Sequence, residues 1–357
     1  MRFIDEVINW YEQNKRDLPW RNTQDPYLIW LSEIILQQTR VDQGMPYFYR
    51  FSEKYPTVSD FATACEDDIL NMWQGLGYYS RGRNMHHTAR MVMEEHGGYF
   101  PQKYDELIKL KGIGEYTAAA ISSFSSNEVR AVVDGNVFRL LSRYFGIDEA
   151  INSTEGKKTF YSLANETIDK DRPGLSNQAL MEFGSLQCKP VNPDCATCPL
   201  RPGCVAFNKQ LIALLPVKLR KAAVKDRFFN YIIAADDNRI LMNKRTEKDI
   251  WQNLHEFPLF ETEHPVDPSE LVSSADFIDH FGTQVQIQAV YGPVKHLLSH
   301  QKLHARYIVI KGFKDGFKSK KPWFYVNYDE LEHLAQPKLI FAFLEMFPTL
   351  KTDLHSY

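Results

Sequence analysis

The sequence predicts two folds in series: a mostly α-helical region to about residue 205, then a smaller α+β domain from about 226. Three observations carry this. Helical periodicity broken by Gly and Pro runs through the first part. Short β-rich segments replace it after residue 226. Four of the five cysteines gather at 188–204, close to the change in character. At 357 residues the chain has room for two or three domains.

Asp25-Pro26 is a strong helix start, an N-cap acid followed by proline at the first helical position. The run behind it, YLIWLSEIILQQ, is apolar on nearly all sides, so this helix should be central and buried. Further helices fit 59–74, 81–96, 103–110, 115–125, 135–145, 157–169 and 176–187, with breaks at Gly75, Gly77, Gly97, Gly98, Pro101, Gly112 and Gly114. In the last third, FFNYIIAA, the polar Asp236-Asp237-Asn238-Arg239 and ILMNKR read as two strands joined by a turn. VQIQAVYG and ARYIVIKGF read as further strands, and DELEHLAQPKLIFAFLEMF as helix broken at Pro337. Residues 206–225 form the boundary. They carry much of a basic stretch (Lys209, Lys218, Arg220, Lys221, Lys225, Arg227) that is either a solvated linker or a strap for phosphates.

No apolar run approaches the roughly 18 residues needed to cross a bilayer. The net charge of −3 neither demands nor excludes nucleic acid, since binding needs only a local positive face. The start, MRFIDEVINW, has no secretory pattern, so a reducing cytoplasm is expected. There, Cys188, Cys195, Cys198 and Cys204 suit a metal centre better than two disulfides. Spacing alone leaves tetrahedral zinc and an iron–sulfur cube both open. Cys65, in an apolar stretch, is expected to pack.

Two sites of chemistry stand out. In LKGIGEYT (110–117), Gly112 and Gly114 allow a tight turn before a helix whose free N–H groups could hold a phosphate; an ordinary helix–helix turn fits as well. Glu33 lies on the apolar helix, with Ile29 and Trp30 before it and Leu36 and Gln37 after it. A carboxyl among such neighbours has its pKa raised and can act as a general acid.

The hairpin, an aspartate about 20 residues later in VVDGNV (132–137), and the cysteine spacing together resemble the iron–sulfur helix-hairpin-helix DNA glycosylases of the endonuclease III superfamily. LPWR…DPY…WLSEIILQQTRV and GLGYYSRGRNMHHTA (75–89) resemble the adenine DNA glycosylases of the MutY family. The resemblance covers essentially the whole chain. It implies two helical subdomains with a [4Fe–4S] loop at 188–204 in residues 1–205, a linker over 206–225, and a Nudix-like recognition domain over 226–357. Glu33 would protonate adenine at N7, and Asp134 would stabilise the oxocarbenium ion, aided by Asn136. Tyr116 stands where strand-cleaving relatives carry a Schiff-base lysine, which implies a monofunctional enzyme.

The resemblance further places Arg16, Trp20, Arg21 and Gln178 around the adenine, and Gln38, Thr39 and Tyr78 against the opened duplex. Leu298-Ser299-His300 stands where the family usually reads Phe-Ser-His, with Ser299 able to sense the N7–H of 8-oxoguanine. The last domain lacks the acidic run of a magnesium-dependent hydrolase. The implied partner is duplex DNA with 8-oxoguanine·A or G·A mispairs, bound by a monomer, on the nucleoid if the source is bacterial. A pyrimidine-damage or G·T-mismatch glycosylase and a non-catalytic DNA-binding redox sensor are the competing readings; Glu33 and the recognition domain weigh against the first, Glu33 and Asp134 against the second. One physical expectation follows from these assignments: Glu33 should lie in more apolar surroundings than Asp134.

Overall fold

A computed structural model describes residues 2–219, 224–235, 238–313 and 323–346. Arg220 and Lys221 of the basic stretch, and Asp236-Asp237 of the expected turn, lie outside these residues. The chain forms two compact units, Met1–Thr63 with Asn84–Lys221, and Ala64–Arg83 with Ala222–Tyr357.

The helices that build the first unit are α1 (Phe3–Asn14), α2 (Pro26–Leu36), α3 (Val41–Lys54), α4 (Val58–Thr63) and, beyond α5 (Glu66–Met72), α6 (Ser80–His96). They continue with α7 (Tyr104–Leu107), α8 (Glu115–Ser126), α9 (Gly135–Phe145), α10 (Thr154–Thr167), α11 (Pro173–Leu186) and α12 (Val205–Asn208). Asp25 caps α2 by accepting from Tyr27 N at 2.9 Å, and Pro26 fills the first turn, where no N–H is missed. Eight residues of α2, from Tyr27 to Ile35, are buried, so it is a central helix, packed on α3 and α8. The Ala118–Ala120 run lets α8 approach closely, and both Ala119 and Ala120 are buried. In a second core, α11 packs on α1, α8 and α9, with Val137, Leu140, Leu141, Leu180 and Phe183 all buried.

The expected single helix over 59–74 is two helices, α4 and α5. Cys65 interrupts it as the N-cap of α5, with Glu66, Asp67 and Asp68 in the first turn, where acids favour a new helix start. Cys65 is therefore exposed, and the packing role expected of it does not hold.

The second unit contains β1 (Lys225–Ala234), β2 (Arg239–Lys244), β3 (His255–Glu256), β4 (Leu259–Thr262), β5 (Gln286–Leu297), β6 (Gln301–Lys311) and β7 (Trp323–Asn327). The four-stranded sheet runs β4-β1-β6-β5, with β1 and β6 parallel. A three-stranded sheet runs β3-β2-β7. β1 and β2 follow each other in sequence but enter different sheets, linked by a single bridge between Ala235 and Ile240. From Phe229 to Ala234 β1 is buried on both faces, which explains why that stretch is apolar apart from Asn230. Its alternate residues serve two cores. Phe229, Tyr231 and Ile233 pack with Leu339, Ile340 and Phe343 of α15 (Lys338–Met346). Ile232 and Ala234 face Leu271 of α13 (Pro268–Val272) and Phe277 and Phe281 of α14 (Ala275–Phe281).

The close approach of α11 to α9 depends on Gly184. A Cβ there would meet the Asn136 carbonyl oxygen at 2.7 Å. Gly184→Ala should therefore push the start of α9 away from α11 and lower stability by about 1–3 kcal/mol in urea unfolding. An unchanged midpoint would mean that this contact does not set the packing.

Candidate active site

Three elements of the first unit bring the predicted catalytic residues together: the middle of α2, the start of α8 and the N-terminus of α9. Glu33 is 8% exposed. Burial, with a smaller contribution from Asp134, pushes its pKa up to about 7, against a hydrogen bond from Tyr116 and the charge of Arg21. Tyr116 is itself buried and its phenol held well above its usual value by burial and by both carboxylates, so it stays a neutral donor.

Asp134 is the N-cap of α9. Its Oδ1 accepts from the backbone N–H of Asn136 at 2.9 Å and of Val137 at 2.8 Å, and its Oδ2 from Asn136 Nδ2 at 2.7 Å. Burial raises its pKa, while these three donors and Arg139 favour the anion. For Glu33 the hydrogen bond from Tyr116 and, more weakly, the charge of Arg21 act in the same sense. Burial raises both carboxyls, and Asp134 accepts more hydrogen bonds than Glu33.

Asn136 is held in turn. Arg139 Nη2 donates to Asn136 Oδ1 at 2.9 Å and to the Gly184 carbonyl at 2.6 Å, and its Nε to the Cys188 carbonyl at 2.7 Å. Arg16 and Arg21 meet Glu182, with Arg16 Nη2 at 2.7 Å and Arg21 Nη2 at 2.8 Å from its Oε2. Burial would raise the Glu182 pKa, but its two arginines hold it down to about 2. Gln178 accepts from the Tyr11 hydroxyl at 2.9 Å.

Glu182 and Tyr11 escaped the sequence reading. Two arginines five residues apart, both assigned to one pocket, were the signal that a buried acid should be sought. Trp20 is buried edge-on against Phe48, a packing position. Gln38 follows α2 with φ +56, in the left-handed region, and Thr39 Oγ1 closes this turn onto the Gln37 carbonyl at 3.3 Å. Gly112 has φ +77 and lies against Asn84, while Gly114 caps α8.

The four cysteines are free thiols, which removes the disulfide alternative. They line one cavity of about 30 Å³ with Leu140 and Phe183. Arg143 organises the loop, donating to the carbonyls of Lys189 (2.7 Å), Pro190 (3.1 Å) and Leu215 (3.0 Å), with Cys188 Sγ at 3.5 Å. Burial pushes Cys198 up to about 11 and raises Cys195 and Cys204. Four converging sulfurs are a donor set that fits an iron–sulfur group. Among the described residues, no three His, Cys, Asp or Glu side chains gather as they would on a single ion.

The remaining predicted residues lie in the second unit. Leu298, Ser299 and His300 form the tip of the β5–β6 hairpin, closed by Leu298 N to the Gln301 carbonyl at 2.8 Å. Leu298 turns inward against the core, and its neighbour Leu297 is the exposed apolar residue. Tyr78 Oη lies 2.6 Å from Ser299 Oγ. Tyr78 also has a left-handed backbone, with φ +46.

The raised Glu33 pKa has a consequence for stability. A carboxyl that binds its proton more tightly when folded stabilises the fold most below the unfolded pKa, near 4.5, and loses that contribution as pH rises through about 7. The interval corresponds to roughly 3 kcal/mol. Glu33→Gln, which cannot ionise, should gain on the native protein by up to that amount between pH 4.5 and 8 in urea unfolding. Parallel pH profiles would show an ordinary solvated glutamate.

Residues 31–166 match the family described as HhH-GPD superfamily base excision DNA repair protein, and residues 230–346 match the NUDIX domain. The adenine DNA glycosylase of Buchnera aphidicola subsp. Schizaphis graminum is 33% identical over 348 residues, covering 97% of this chain and 98% of its own. The adenine DNA glycosylase of Mus musculus is 41% identical over 216 residues, covering 58% of this chain and 42% of its own. Among solved structures, a thermostable thymine-DNA glycosylase aligns with a TM-score of 0.54 at 28% identity, covering 58% of this chain and 95% of its own. Near-full-length identity to curated enzymes, on a helix-hairpin-helix unit followed by a Nudix-like one, shows that the chain belongs to the adenine DNA glycosylase family.

Proposed function

We propose that this DNA glycosylase excises adenine mispaired with 8-oxoguanine, or with guanine, and leaves an abasic site without cutting the strand. The observation that carries the reading is Glu33, a carboxyl raised to about 7 by burial, near a second carboxyl that accepts three hydrogen bonds. Two such groups meet the opposite demands of glycosidic bond hydrolysis. Glu33 gives its proton to N7 of the flipped adenine. The C1′–N9 bond breaks and its electron pair leaves with the base. The Asp134 carboxylate, oriented by Asn136, faces the cationic sugar until water adds to C1′ and passes its proton to that carboxylate. Tyr116 holds Glu33 and has no amine with which to trap the sugar.

Arg16, Arg21 and Gln178 shape the base pocket, with Trp20 behind them. Gln38, Thr39 and Tyr78 contact the opened duplex, and Gly112 and Gly114 present backbone N–H groups to a phosphate. Cys188, Cys195, Cys198 and Cys204 would hold a [4Fe–4S] cluster, which would cross-link their loop and supply no redox step. Residues 1–205 carry the chemistry, 206–225 link, and 226–357 read the opposite base, in a monomer. No described helix is long and apolar enough to cross a membrane.

The test is single-turnover excision on duplexes that differ only at one pair: 8-oxoguanine·A, G·A, T·A and G·T. Adenine release from the first, with strand breaks only after alkali, is expected. Glu33→Gln should lose at least about 100-fold in rate while still binding the mispair, since the shape is kept and the acid removed. Breaks without alkali, or excision only at G·T, would contradict the assignment. At the hairpin tip, Ser299→Ala with His300→Ala should narrow the rate preference for 8-oxoguanine·A over G·A. An unchanged ratio would take both residues out of recognition.

A further inference from the structure

Beside the hairpin tip, within the second unit, lies a cavity of about 440 Å³. That volume is in the range of small-molecule sites. Its walls include Tyr78, Arg83, Trp251, His296, Ser299 and Lys338.

The charges around it do not balance. Arg83 is half-buried, and Nη1 donates to the Gln252 carbonyl at 2.6 Å. Among the described residues Arg83 makes no ion pair. The carboxylate acting on it, Glu66, is engaged by Asn253 Nδ2 at 2.6 Å. Burial lowers the Arg83 pKa, as it does for a cation without a close counter-ion. His296 is held below its usual value by burial and then by the charge of Lys338, which places that ammonium near the imidazole. The carboxylate among the lining residues, Asp249, is already neutralised by Arg227 at 2.8 Å and Arg245 at 2.7 Å.

One wall is aromatic and held under strain. Trp251 has φ +58, a left-handed conformation that a bulky side chain rarely adopts. It is kept there by Leu254 N donating to its carbonyl at 3.0 Å and by edge contacts with His296 (5.8 Å) and Phe229 (6.3 Å). Strain of this kind persists where the surroundings over-determine it.

We propose that this cavity is a nucleotide site: Arg83 and Lys338 take a phosphate, and Trp251 supplies the aromatic wall for the sugar or base attached to it. The phosphate belongs to the strand that carries the base read at Ser299, so the proposal deepens the reading of the hairpin tip and rests on it. A free oxidised purine nucleotide presents the same chemistry.

The test uses the full chain with its cluster and two duplexes. Each carries a tetrahydrofuran abasic analogue, opposite 8-oxoguanine in one and guanine in the other. Lys338→Gln and Arg83→Gln should each weaken binding about tenfold. Each should also reduce the slope of log affinity against log salt by about one. Arg83→Lys should restore that slope. Lys338 is exposed at the start of α15, so its variant tests the site even where Arg83→Gln disturbs the fold. A second arm titrates free 8-oxo-dGMP against tryptophan fluorescence, with Trp251→Phe as control. A reduced salt slope without saturable quenching assigns the site to a duplex phosphate. Saturable quenching lost in Trp251→Phe and Lys338→Gln assigns it to a free nucleotide. Unchanged affinity and slope for Lys338→Gln, with no saturable quenching, overturns the proposal. The native preference for the 8-oxoguanine duplex judges the hairpin tip separately. A ratio near one would sink that reading, while the salt slope would still decide the cavity.

Discussion

Arg139 is the interaction on which the first unit depends. It is 8% exposed on α9, and its guanidinium reaches the carbonyls of Cys188 and Gly184 and the side chain of Asn136. One cation thereby pins the end of α11, the entry to the cysteine loop and the residue that grips Asp134. Burial lowers its pKa, and the carbonyl partners offset part of that penalty with charge-assisted hydrogen bonds. Small residues make the arrangement possible, because Gly184 leaves no side chain between α11 and the Asn136 backbone. The cysteine loop and Asp134 are in this way parts of one polar network.

Electrostatics inside this unit are divided by location. Glu182 takes two arginines and stays charged. Glu33, within reach of Arg21's field but without an ion pair among the described residues, has a phenol for its partner and a second carboxylate nearby. Had Arg21 paired with Glu33, its pKa would have fallen and an acid would have been lost at neutral pH. Glu182 therefore has a second effect: it occupies the cations that would otherwise quench the proposed acid.

The second unit follows a different constraint. Its central strand is buried on both faces, so its loops and hairpin tip carry the polar groups. Tyr78, Trp251 and Gln38 of the first unit all adopt left-handed backbones that ordinary side chains avoid. Each is also a residue for which a DNA contact is proposed.

Much of the plan was legible in the sequence. Asp25-Pro26 and an all-round apolar run determined α2, because capping and burial are local chemistry. The change from helical to strand periodicity marked the second fold, and the four cysteines announced a shared centre by their proximity. Glu33 was visible as a carboxyl with apolar neighbours one turn away on either side. Other features had no local signal. Cys65 lay in an apolar stretch, and only the acidic turn after it made it a cap. β1 and β2 looked like a hairpin, but partner choice depends on strands some 70 residues away in sequence. Glu182, Arg139 and the Tyr78–Ser299 contact join residues 45 to 221 positions apart. The sequence by itself determined which groups are present and which helices carry them. Only the tertiary structure decided which charges meet, because pairing is set by packing across distant segments and not by propensity along the chain.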